Sequence, residues 1–450
     1  MMQNSSASRR ISNTLAVIAT LLACGSAPAQ LPAFPGAEGF GGFSKGGRGG
    51  EVYYVTHLND SGPGSFRDGV SKPDRTIVFD AGGVITISSR IIVAPRITIA
   101  GQTAPGGVTV YGNGVSFTDS DETIVRHIRF RMGVKGDSGK DCVTLARGRN
   151  MIFDHVSIAW GRDENFSING VATNITIQDS IVAQGLQHHS AGGLIQTSGG
   201  VSILRTLYAD NHTRNPKVKG VNQYVNNVVY NWGRGGCYIL GDSDGPSFAN
   251  VMHNYFIAGP NTGAAPFTRG NENFRIFAEG NFFDGNRDGS LNGQVIPRAD
   301  YGVVSWREQP FDYPQMRVLN AQQALRTVLG RAGAWPRDAV DAALIQEVRS
   351  FGTAGQIITN EMAYAPVMPA RVTSETVVDT DRDGMPDDWE KRAGLNPNDA
   401  ADRNQRASSG YTRLEEYLNG KADALLADAS GSDDTAAAVR SPAGAAAVQN

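Results

Sequence analysis

A polar residue or glycine followed by an apolar-x-apolar stretch returns through the middle of the chain at Arg96, Glu122, Asn150, Asn174, Gly200, Asn222, Asn250 and Asn273, in steps of 26, 28, 24, 26, 22, 28 and 23 residues. Long, nearly fixed steps of this kind belong to solenoids, where one unit cannot bury its apolar face until the next stacks on it. After each opening stretch come a polar corner and a second apolar run, as in Asp154-His155-Val156-Ser157-Ile158, Gln178-Asp179-Ser180-Ile181-Val182 and Asn226-Asn227-Val228-Val229-Tyr230. Several short strands per unit, with no helical crossover, favour a right-handed parallel β-helix over leucine-rich or helical repeats. Asparagine suits its corners because it tolerates left-handed backbone and can bond an amide one coil away. The 54 glycines beside 19% charged residues agree with an all-β, turn-rich chain. An antiparallel sandwich is the alternative, but it would give strands without a long period.

The organisation around this solenoid follows from composition. Residues 1–29 read as an export signal: Arg9 and Arg10, an apolar stretch from Leu15 to Ala23, and a small-residue site at Ala27-Pro28-Ala29. Secretion is expected, with a lipid anchor through Cys24 or a periplasmic location as the alternatives. The β-helix is expected over 30–360, a linker over 361–377, a small module over 378–421 and a disordered tail over 422–450, which is rich in Ala, Ser, Asp and Gly and without an aromatic residue. The Gly-rich stretch from Leu31 to about Arg75 is expected to cap the open end of the coils. Spacing within Pro336 to Ser350 predicts a short helix lying on the solenoid. Removing Arg9 and Arg10 moves the net charge from -3 to -3 - 2 = -5, so no basic field recruits nucleic acid. No other stretch is long and apolar enough to span a bilayer, and a monomer is expected. Cys142 and Cys237 are too few for a disulfide scaffold, and whether they pair stays open.

Counted back from the following anchor, Asp141, Asp163, His188, His189 and Arg214 fall in one narrow window of four neighbouring coils. Equivalent positions of successive coils stack at roughly 4.8 Å, so the spacing puts these groups on one face. Carboxylates at one end suit a hard cation such as calcium, and the basic run Arg214, Lys217 and Lys219 suits an anionic polymer lying along the coils. Asp163 and Glu164 are adjacent; on an extended strand they would point to opposite faces, which speaks against a two-carboxylate hydrolase.

Four further stretches carry a family resemblance. Phe34-Pro35-Gly36-Ala37-Glu38-Gly39-Phe40-Gly41, Gly46-Gly47-Arg48-Gly49-Gly50, Asn59-Asp60-Ser61-Gly62-Pro63-Gly64-Ser65-Phe66-Arg67 and Ile99-Ala100-Gly101-Gln102-Thr103-Ala104-Pro105-Gly106 resemble polysaccharide lyase family 1, the pectate lyases, over Leu31 to Arg349. The resemblance implies calcium-dependent β-elimination on polygalacturonate or pectin. Asp141 matches the family's aspartate ahead of the Asp-His motif, here Asp154-His155, and Asp163 its next acidic ligand; a third ligand position holds Ser167, a weaker donor. The family's R-x-P-x-x-R motif is Arg214-Asn215-Pro216-Lys217-Val218-Lys219, with Lys219 in place of the second arginine. Arg214 is then the base, with Lys219 beside it, and Lys217, His188 and His189 bind substrate, a histidine standing in for a family lysine. A pectin lyase would not need Asp141 and Asp163, and a noncatalytic β-helix adhesin would use the same face only to bind.

Asp379-x-Asp381-x-Asp383-Gly384-x5-Glu390 fits a twelve-residue EF-hand loop, with Met385 at position seven and Asp387 at nine. A second calcium site from Asp379, Asp381, Asp383, Met385, Asp387 and Glu390 is expected. Thr412 and Glu415 form a capping box for a helix through Leu418. The module resembles half of a dockerin; the stretch from Asn396 to Gly410 lacks the acidic pattern of a second loop, so a structural calcium site is favoured over docking to a partner protein.

Overall fold

The computed structural model describes residue 1 and residues 30–186, 189–363, 372–373 and 377–433; the expected leader beyond residue 1, His188 and the tail after 433 lie outside these. The described chain winds into a parallel β-helix. One coil carries strands Val143–Leu145, Arg149–Asp154 and Ser157–Ala159, and the next Glu164–Ile168, Thr173–Gln178 and Ile181–Ala183. Each strand pairs in parallel with its counterpart one coil away, as in Met151 with Ile175 and Ile175 with Val201. Among the described residues the strands form one sheet of 17 and another of 11.

The anchors Arg96, Glu122, Asn150, Asn174 and Gly200 occupy one corner column, all with φ between 56° and 87°. There the Asn174 amide donates to the Asn150 carbonyl oxygen at 3.0 Å, and the Asn150 amide to the Glu122 carboxylate at 2.6 Å. The later anchors drift. Val201 pairs with Asn222, so Val221 is the equivalent of Gly200; Asn222 sits one residue late, and Asn250 sits level with Gln223. The cause is local: the ladder shifts register between Thr197 and Val201, and Gly220, at φ 85°, takes the corner with fewer residues. A second column, His127, His155, Asp179, Arg205, Asn226 and His253, also has positive φ, from 48° to 61°. Beside it a buried ladder runs from Asn227 to Asn254 to Asn281, with amide-to-carbonyl bonds of 3.1 and 2.8 Å.

Inside the coils Phe117, Phe153 and Phe166 stack edge to face at 5.0 Å steps, and Cys142 and Cys237 are buried, free thiols. Two helices, Ala321–Arg331 and Ala339–Arg349, cover the outside of the smaller sheet through Leu325, Val328, Val340, Leu344 and Val348 against Ile181, Leu207 and Val228. The second is the expected one. The first carries its own start signal, the capping box Asn320-x-x-Gln323.

The Gly-rich N-terminal stretch divides: its first part, around Glu38 to Gly41, runs across the flank of the coils. Glu38 donates its N–H to Gln178, Gly41 to Thr176 and Phe40 to Ser202. These outward hydroxyls and amides need partners, and the small glycines bring the strap's backbone close enough to supply them. Its later part does close the apolar end, through Phe66 and Val70 in and after the short helix Phe66–Gly69.

Nor is the C-terminal module a free appendage. Met385, Leu414 and Leu418 pack against Val78 and Ala100 of the first coils. The helix opening at the Thr412/Glu415 box extends from Arg413 to Asp433, so the expected disorder from Ala422 is not found in the described part of the tail. Helices on one flank and the strap on another leave the face of each coil's first strand uncovered, and the aligned charged groups lie there.

Candidate active site

Equivalent outward positions of the first strands form a ladder, Ser116 to Thr144 to Ser167 to Leu194 to Lys217. Just ahead of these strands, where each coil turns, stand Asp141, Asp163, His189 and Arg214. The structure brings all four to one flank. The Asp141 carboxylate accepts from the Glu164 N–H at 3.2 Å, and His189 Nε2 lies 3.3 Å from Asp163 Oδ1. One ligand atom each from Asp163, Glu164 and His189 lies within 4.8 Å of the others. Burial, then the charge of Asp163, push the Asp141 carboxyl up to about 6. Carboxylates this close and partly out of water call for positive charge, and their all-oxygen donors suit a calcium-like ion.

Glu164 is the residue sequence reasoning set aside. Asp163 sits in the bend before the strand, so its side chain is not bound by strand alternation and converges with that of Glu164 instead of opposing it. The Glu164 side chain is 4% exposed and accepts from Arg214 Nη1. Loss of water around Arg214 lowers its pKa, against the pull of Asp163. Its backbone is held at φ 56°, with its carbonyl accepting from Gly193 N–H at 2.7 Å. A Cβ on Gly192 would sit 2.6 Å from that carbonyl oxygen, so only glycine fits there. Behind the pair runs a buried amide relay, Asn165 to Asn211 at 2.9 Å and Asn211 to Asn215 at 2.9 Å, tying the coil of Glu164 to the turn of Arg214. A polar residue at the start of one strand, Asn165, and two in a single later turn, Asn211 and Asn215, were its only sequence signal.

The remaining expected residues are less central. Ser167 lies on the ladder between Thr144 and Leu194, its hydroxyl accepting from Asn169 at 3.1 Å. Lys217 pairs with Asp242 at 3.3 Å, which Arg269 shares at 3.2 Å. Lys219 is not brought to the Arg214–Glu164 pair: two residues on along the same strand, it donates to the Ser243 hydroxyl at 3.3 Å. The Asp154-His155 motif faces elsewhere, in a buried stack of His127 and His155 4.9 Å apart, with Asp154 held by Arg126 at 2.8 Å.

In the C-terminal loop, ligand atoms of Asp379, Asp381 and Asp383 lie within 4.8 Å of one another, as do those of Asp383, Glu390 and Asp402. Asp387, expected as a ligand, is in neither group; its carboxylate accepts from Thr380 N–H at 2.8 Å and Thr380 Oγ1 at 2.9 Å. Met385 buries its side chain, so it can offer only a backbone carbonyl.

No family model matches the chain. Its relatives include "Probable pectate lyase C" of Aspergillus terreus, 54% identical over 411 residues, covering 90% of this chain and 97% of the relative. The protein of the same name from Emericella nidulans is 54% identical over 408 residues, covering 90% and 96%. Among solved structures, a variant of the Bacillus subtilis pectate lyase superposes with a TM-score of 0.50 at 13% identity, covering 70% of this chain and 100% of that one.

Proposed function

The chain belongs to the pectate lyase family, and from that premise we propose how it cuts: calcium-dependent β-elimination in (1→4)-α-D-galacturonan, with Arg214 as the base. The observation that carries this reading is the convergence of Asp141, Asp163 and Glu164 with the Arg214 guanidinium on one open face. Asp141 and Asp163 would hold the ion, with Glu164 in reach. A calcium ion there would supply positive charge to the C6 carboxylate and to the charge that develops as C5 loses its proton.

The rest falls to the chain. Lys217 and Lys219, along the same strand, attract and align the anionic polymer, and His189 stands at the rim beside Asp163. A neutral Arg214 takes the C5 proton at a guanidine nitrogen. The freed electron pair forms the C4–C5 double bond, and the C4–O bond breaks, its oxygen leaving with its electrons and taking a proton from water. Arginine is ordinarily charged near pH 7. Burial favours the neutral form and Glu164 opposes it, so activity should rise at alkaline pH, roughly between 8 and 10.

We also read the C-terminal loop as a calcium site, and residues 1–29 as a leader that sends the protein to a polymer outside the cell. Incubation with polygalacturonate tests the central reading: absorbance of the unsaturated product should appear with calcium and vanish with chelator. Reducing ends without absorbance would sink it.

A further inference from the structure

The stretch from Asn396 to Gly410 lacks the acidic spacing of a second calcium loop, yet it sends one carboxylate back to the first. Asp402 is 3% exposed, in a short helical turn, and its Oδ2 accepts from Asn396 N–H at 2.9 Å. Its other oxygen, Oδ1, is buried without a hydrogen-bond partner. So are both carboxylate oxygens of Glu390 and Oδ2 of Asp383, and these two residues are 0% exposed. Buried carboxylate oxygens that face one another without donors are costly unless a cation lies among them. The basic side chains nearby are engaged elsewhere: Arg382 lies over the Tyr54 ring and 3.9 Å from Asp80, and Lys391 reaches Asp387 and Asp388 on the outer side.

We propose that Asp402 completes a single divalent-cation site with Asp379, Asp381, Asp383 and Glu390, taking the place an EF-hand gives to its ninth residue. Asp387 is then a brace for the loop through Thr380, not a ligand. An all-carboxylate set of this kind selects a hard cation of the calcium class. The site also reaches the β-helix. The Tyr54 hydroxyl, from strand Glu51–Val55, donates to Asp379 and accepts from Gly384 N–H at 2.7 Å. Filling the site therefore fastens the module to the first coil, which makes the cation a clasp for the fold, apart from the catalytic face.

This inference rests on the reading of the loop as a calcium site and is independent of the lyase chemistry. Its test is terbium luminescence, sensitised through Tyr54 and Trp389, with calcium competition, on the full chain carrying Asp141→Asn so that the catalytic face contributes little. Against that background Asp402→Asn should weaken terbium and calcium binding by about tenfold or more and reduce the calcium-induced rise in Tm at a given calcium concentration, while Asp387→Asn should change affinity less than about threefold. In the otherwise unaltered chain, Asp402→Asn should leave lyase rates at saturating calcium unchanged, which also reports that it folds. If Asp402→Asn binds terbium as tightly as its parent while Glu390→Gln does not, the loop binds the ion and Asp402 is no ligand. If Glu390→Gln is also without effect, the calcium-loop reading itself fails, whatever the lyase assay shows.

Discussion

Glu164→Gln separates Arg214 as base from Arg214 as a mere carboxylate holder. Glutamine keeps an oxygen that can accept from the guanidinium but removes the charge that favours its protonated form. Two unit charges ~4 Å apart interact by about 1 kcal/mol in water and about 4 kcal/mol at an effective dielectric of 20. The Arg214 side chain is 23% exposed and that of Glu164 4%, so this pair lies between those limits. That range corresponds to about 5-fold to several-hundredfold in the ratio of neutral to charged guanidine. The assay is the initial rate of unsaturated product formation across the alkaline range, at calcium concentrations shown to saturate each variant, because Glu164 also lies beside Asp163. With Arg214 as base, the rising limb of the pH profile moves to lower pH, and the plateau drops because a more easily deprotonated base is a weaker one. A limb that stays in place at saturating calcium would mean that the titrating proton is not on Arg214.

Other expectations follow from the same contacts. Asp141→Asn should raise the calcium concentration needed for half-maximal rate by at least about tenfold, read from calcium titrations of activity. Burial, then the neighbouring His155, hold His127 well below its ordinary 6.5, so it stays neutral in the fold while the unfolded chain takes up a proton. Stability is therefore lost as pH falls through 6.5, by up to about 2 kcal/mol at pH 5, and urea titrations of His127→Gln should show a flatter pH dependence than the parent. Asn254→Ala takes the acceptor from the Asn227 backbone N–H and side-chain amide and the amide donor from the Tyr224 carbonyl, while Asn281 Oδ1 keeps the backbone N–H of residue 254. At about 1–3 kcal/mol for each buried unpaired group, the loss in urea unfolding should be about 3 kcal/mol or more.

The period of the coils was legible because corner residues must adopt positive φ, and that demand repeats; Asn150 and Asn174 meet it and bond to each other. It blurred after Gly200, where a register shift shortens the corner and no residue type announces a shortened corner. The shared flank of Asp141, Asp163 and Arg214 was readable because stacking turns a sequence offset into a position. Glu164 was not, since strand alternation fails in the bend before a strand, and a single residue's displacement there redirects a side chain. Asp402 was invisible for a related reason: a ligand that reaches another segment's loop need not obey the loop's own spacing.

The N-terminal strap bonds to strands 140 and 162 residues further along, while the C-terminal module sits on the first coil. A stack whose rungs touch only their neighbours unravels by peeling from an end. Here the first coil is pinned by the C-terminal module and the strap runs on along the stack, so peeling must start at the far edge, around strand Ser305–Trp306 and the exposed Gln294 and Val295. Resistance to proteases in such a chain is set by the rate at which that one edge opens, and mutations there will shorten its lifetime more than equal losses of stability elsewhere.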